Sequence, residues 1–155
     1  MDVLNRILPE RIDNRFRGRA LALWLFVPIV LQKLAESLTH LFKADGGAQS
    51  ISTMPLDTYP SSAATNVIGL MARIGVEQLL LVTLLALVGL RYRAMIPLMY
   101  VLIVAQYFAS KGISQMKPLV LAGTSGASIP HLVIAILSII GLVLSLIGHD
   151  YNDRA

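Results

Sequence analysis

Cysteine is absent from the 155-residue chain, which excludes disulfide frameworks, thiolate metal sites and dithiol redox exchange. Charge is scarce: Asp, Glu, Lys and Arg make up 14% of the residues, where a soluble domain carries about 25%. No glycine-rich loop is placed to cradle a phosphate and no serine sits on a glycine-flanked elbow, so nucleotide chemistry and a serine triad have no footing. Basic residues do exceed acidic ones, 13 to 9, with a pI near 9.7. They do not form a stripe, however, but mark the ends of long apolar runs, which argues against nucleic-acid binding.

What the chain has in abundance is apolar length. Hydrophobic residues make up 55% and the mean hydropathy is +0.69. A bilayer core about 30 Å thick requires about 20 mostly apolar helical residues, and four stretches approach this, at about 20–42, 66–90, 94–110 and 131–148. Backbone amides in lipid must be satisfied within the segment, so each reads as a spanning helix. The fold class that follows is all-α, an integral membrane antiparallel four-helix bundle. Ser128 and Pro130 predict the start of the last helix as N-cap and first-turn proline, and Pro28 predicts a kink near Trp24 in the first. Residues 43–65 and 111–129 form long glycine- and proline-containing loops, of the kind more often functional or mobile than incidental.

Arg6, Arg11, Arg15, Arg17 and Arg19 precede the first span, Arg91 and Arg93 fill the turn between the second and third, and Arg154 lies near the end. The opposite side has Lys43, Lys111 and Lys117, so the positive-inside rule places both termini in the cytoplasm, as in a bacterial inner-membrane protein. The apolar run after Ala20 is too long for a cleaved signal peptide and leads to no small-residue cleavage site. Within residues 1–19, Leu4, Leu8, Ile12 and Phe16 recur every four positions among arginines. This predicts a basic amphipathic segment on the inner headgroups, with a flexible tail as the alternative. Residues 151–155 form a short cytoplasmic tail.

Ionisable groups at bilayer depth cost about 2.5 to 3.5 kcal/mol each on insertion scales, so their placement is informative. Lys33, Glu36 and His40 in the first span, Arg73, Glu77 and Gln78 in the second, Gln106 and Tyr107 in the third and His131 at the start of the fourth all fall in the outer half. Gln32, Glu36 and His40 share a helix face, and Arg73 and Glu77, four apart, are placed to pair directly. Two readings stand: a self-neutralising ion-pair network that fixes helix register, with Glu77 held by Arg73 and Lys33, or a polar ligand pocket open to the outer side. A divalent metal is disfavoured, because the paired Glu-x-x-His signature is missing and two cations oppose it. His40 and His131 would meet the requirement of a b-type haem. A quinone or similar amphipathic carbonyl compound fits better, with Lys33, Gln106, His40 or Tyr107 as donors and leucine-rich walls around a tail.

In the fourth span Ser138, Gly141, Ser145 and Gly148 form a small-residue stripe that serves either packing within the bundle or a homo-oligomer seam. The arrangement as a whole resembles the DoxX-like family of small four-helix membrane proteins over roughly residues 17–152. Lys33 late in the first helix, Gly75-Val76-Glu77, Val88-Gly89-Leu90-Arg91-Tyr92-Arg93 and the closing Gly148-His149-Asp150 carry the resemblance. It implies a membrane subunit or accessory of a redox system that works with quinone and a partner protein. More distant relatives imply an assembly factor or cargo receptor instead. Family members that handle thiols use cysteines, which this chain lacks.

Overall fold

The computed structural model describes residues 3–147, so Gly148, His149, Asp150, Arg154 and the 151–155 tail lie outside the described residues. Among the described residues there is no strand, and four helices are long and apolar enough to cross a membrane. A short α1 (Val3–Ile7) precedes the spanning helices α2 (Ala20–Phe42), α3 (Ser61–Arg91), α4 (Ile96–Met116) and α5 (Ser128–Leu146). They form an antiparallel bundle in which α2 packs on both α3 and α5, and α5 on α4, while α3 and α4 meet only sparsely. One end of the bundle bears the connections 43–60 and 117–127 and is termed the loop end. The other bears residues 3–19 and the tight α3–α4 turn and is termed the turn end.

The helix bounds follow local chemistry more closely than hydropathy does. α2 matches its expected range and runs unbroken through Pro28, whose missing N–H leaves the Trp24 carbonyl without its usual helical donor. α3 begins at Ser61, directly after Pro60, five residues ahead of the apolar run. α4 carries Pro97 in its first turn, where no intrahelical donor is lost, and continues to Met116 past Lys111. In α5 the expected cap is displaced by one residue: Ala127 is the N-cap, and Ser128 is already helical with no capping bond from its side chain.

The N-terminal segment also departs from the expected helix, which persists only over Val3–Ile7. Pro9 lacks the N–H that would continue it, and the irregular remainder is tied to the bundle instead. Arg19 N–H donates to the Leu144 carbonyl at 3.1 Å, Ala94 N–H to that of Asp13 at 3.2 Å, and the Arg6 guanidinium to that of Leu146 at 3.0 Å. The Arg17 guanidinium grips Asp13 at 2.7 Å and, with the Arg15 amide, holds its carboxyl below the usual carboxylate range.

The core fills the turn half. Phe26, Ile29, Leu85, Val88, Met99 and Tyr100 are buried together. Tyr100 meets Phe26 edge-to-face at 5.5 Å, and its hydroxyl donates to the Ala22 carbonyl at 2.5 Å. That ring lies against Gly141, where a Cβ would overlap it. Ser138 and Ser145, 0% and 2% exposed, direct their hydroxyls to carbonyls of their own helix. Over Ser138, Gly141 and Ser145 the small-residue stripe of α5 is thereby consumed inside the bundle, and these three positions are closed to a second copy.

Candidate functional site

The loop half of the same bundle is hollow. A cavity of about 620 Å³ is bounded by all four spanning helices and roofed by Ser52, Met54 and Leu119 of the connections. Because α3 and α4 barely meet, it opens sideways between them, with the exposed Ile74 and Ile113 at its edges.

α2 supplies the charged wall. Lys33, Glu36 and His40 recur at three- and four-residue steps, so one face of the helix carries all three inward. Lys33 is only 8% exposed; its ammonium donates to Gln106 Oε1 at 3.1 Å and stands 3.9 Å from Glu36 Oε2, within ion-pair range but too far for a hydrogen bond. The other carboxylate oxygen, Glu36 Oε1, is bonded to His131 Nε2 at 2.9 Å. Two acceptors on the cavity, Glu36 Oε2 and Gln78 Oε1, are buried without a donor, as is Gln32 Oε1 outside it. In a dry site such atoms are costly unless something donates to them. His40 Nδ1 is bonded to the Gly46 carbonyl at 2.7 Å, and the Lys111 ammonium lies 5.8 Å from the Tyr107 ring centre.

The roof is an ordered structure rather than a slack loop. Gly46 and Gly47 take positive φ, +59° and +79°, conformations that L side chains rarely adopt. Around that turn the Asp45 carboxylate accepts the amides of Gly47, Gln49 and Ser50 at 3.0, 3.1 and 2.6 Å. Partial burial opposes its charge, yet the bonds from Ser50 and Gly47 prevail and hold its carboxyl down at about 2. Ala48, Met54 and Leu56 form a second small core against α3. The two connections are joined by Ala122 N–H to Thr53 O and Gly126 N–H to Ile51 O, each 2.8 Å, and by the Thr53 hydroxyl to Gly123 O.

Of the residues singled out from sequence, Lys33, Glu36, His40, Gln78, Gln106 and Tyr107 line this one cavity, together with His131. Arg73 and Glu77 do not. Both are exposed, and among the described residues neither forms an ion pair, so the arrangement of Glu77 between Arg73 and Lys33 is replaced by Lys33 with Glu36 and Gln106. The rotation of α3 explains this. Buried Gly75 faces α2, where a Cβ would press on His40 and Leu41, and the Ser37 hydroxyl donates to its carbonyl at 2.9 Å. At about 100° per residue, positions 73 and 77 lie about 160° from Gly75 and therefore face away, while Gln78 lies about 60° from it and turns inward. Ser37 and Asp45, which set this geometry, have no sequence signal beyond being single polar residues. Among the described residues no three His, Asp or Glu side chains converge as a metal site would require. His40 and His131 each spend a ring nitrogen on a protein acceptor. The chain matches no family model, no curated protein and no solved structure.

Proposed function

We propose that the chain binds a quinone-like amphipathic molecule in the loop-half cavity and serves as a membrane subunit or accessory of a redox system. The observation that carries the binding reading is the set of unfilled polar valences around Lys33. A nearly buried ammonium with one hydrogen bond faces two donorless acceptors, Glu36 Oε2 and Gln78 Oε1. A carbonyl, as in a quinone, would accept from Lys33, and a hydroxyl, as in its reduced form, would also donate to the acceptors. The volume, about 620 Å³, falls within the range of roughly 300 to 1,000 Å³ common to small-molecule sites. The side opening between α3 and α4 suits a ligand that arrives from lipid. The redox setting rests on the DoxX-like resemblance. The arginine-rich turn end supports a cytoplasmic placement of that end in a bacterial inner membrane, which puts the cavity on the outer side.

A non-catalytic assembly or cargo-binding protein is the second reading, favoured by Leu119 and Val120, which are exposed on the loop end. Purification from native membrane, followed by solvent extraction and an absorption spectrum, separates the two. Co-purifying quinone at near-equal molar amount, lost at least tenfold in Lys33→Met, is the expected result. A Soret band would make haem the ligand. A stoichiometric partner protein with no chromophore and no quinone would overturn the binding reading in favour of the second.

A further inference from the structure

Arg73 and Glu77 are the charges that the cavity leaves out. The Ser37–Gly75 hydrogen bond sets the antiparallel register of α2 and α3, which brings Glu77 level with Ala35 and Arg73 level with Thr39. Both therefore lie below the loop-end terminus of α2 at Phe42, Glu77 by about 10 Å at 1.5 Å per residue. At that depth an exposed charged side chain faces lipid unless another helix covers it, and among the described residues none does. The two sit in a regular pattern. Leu70, Arg73, Glu77, Leu80, Leu84 and Leu87 follow one another at alternating steps of three and four, and every one is exposed. A repeat of 3.5 residues maintained over five turns is the geometry of a helix–helix seam.

We infer that this face of α3 pairs with the same face of a second copy, in a parallel dimer whose two-fold axis lies along the membrane normal. The charges select a second copy over an unrelated helix. The face bears one cation and one anion, one turn apart, so a second copy brings equal numbers of each sign to the seam. The two-fold axis along the normal is the one that preserves a common membrane orientation, and it brings equal depths together. Arg73 of each copy then lies about 6 Å along the axis from the partner's Glu77, within reach of its long side chain. Two identical crossed pairs form, which with the pairing along each helix outweigh the facing of each charge by its own counterpart, and the leucines below interdigitate. The α5 stripe, buried in its own bundle, takes no part.

The test uses the full chain in its own membrane and exploits its lack of cysteine. Leu80→Cys should cross-link to a dimer under oxidation, while Ile139→Cys, on the exposed face of α5, should not. In the Leu80→Cys background, Arg73→Glu alone or Glu77→Arg alone places like charges across the seam and should reduce cross-linking about tenfold. The double swap Arg73→Glu/Glu77→Arg should restore it. So should co-expression of the two single variants under different tags, as a mixed dimer. Equal cross-linking at Leu80→Cys and Ile139→Cys, or single swaps without effect, overturns the inference. Capture of a different protein at Leu80→Cys, with no homodimer, also overturns it and assigns the face to that partner. If a swapped chain fails to accumulate, the comparison of the two cysteine positions in the unswapped chain decides alone.

Discussion

In the turn half, Tyr100 reaches from α4 across Gly141 of α5 to the Ala22 carbonyl of α2, and Phe26, Leu85, Val88 and Met99 fill what remains. In the loop half, the same helices stand apart around about 620 Å³, and Lys33, Glu36, His40, Gln78, Gln106 and His131 face the gap among apolar side chains such as Met71 and Ile103. The inward residues make the difference. An aromatic ring set against glycine and small serines lets backbones approach and gain dispersion contacts, which drive helix association where lipid removes the hydrophobic incentive. Long polar side chains set against one another need partners or space, and here Glu36 and Lys33 have too few partners. One half holds the bundle together by close packing, while the other leaves buried polar groups short of partners, a stability cost that packing alone does not require.

Three measurements test that contrast. The largest effect is expected in the turn half. Tyr100→Ala removes a fully buried ring and a cross-helix hydrogen bond, and should lower unfolding free energy by about 3 kcal/mol in denaturant titrations of the detergent-solubilised protein. A loss below half of that would place the structural centre elsewhere. An intermediate effect is expected in the loop half, where Glu36→Gln removes the anionic neighbour of the Lys33 ammonium, which keeps its bond to Gln106, and should cost about 1 to 2 kcal/mol. Adding Lys33→Met should recover most of it, and Lys33→Met alone, which leaves Glu36 its bond from His131, should cost less than Glu36→Gln while ligand is lost. A double-mutant cycle reads this coupling. If Lys33→Met alone destabilises as much as Tyr100→Ala, the cluster is a structural network and the contrast fails.

The smallest effect concerns the roof. The Asp45 carboxyl is held at about 2 from an ordinary value of 3.8. Its contribution is therefore fully present above about pH 4 and is lost as pH falls from there toward 2. Relative to the intrinsic amide rate at each pH, hydrogen exchange at Gly47 and Ser50 should accelerate across that interval, with protection in α4 and α5 unaffected. Asp45→Asn should remove the dependence on pH. Acceleration that begins well above pH 4 would show that another group holds the roof.

The all-helical class, the number of spans and the position of each polar residue along its helix are legible in the sequence. Twenty apolar residues in lipid leave the backbone no option but a helix, and depth is then a matter of counting along the axis. α2 is legible to the residue for this reason, and Lys33, Glu36, Gln106 and His131 could be assigned to one level before any packing was known. Where helix propensity continues past apolarity, as at Ser61 and beyond Lys111, hydropathy ends too early. Only the tertiary structure decided rotation about each axis. α3 carries polar residues on opposite faces, Gln78 on one and Arg73 with Glu77 on the other, and nothing in their spacing says which face turns inward. That choice belongs to Gly75, which admits α2 at close range, and to Ser37, which bonds across the contact. A helix is free to turn about its own axis until a neighbour's side chains fit its surface, and that fit depends on residues about forty positions apart in sequence.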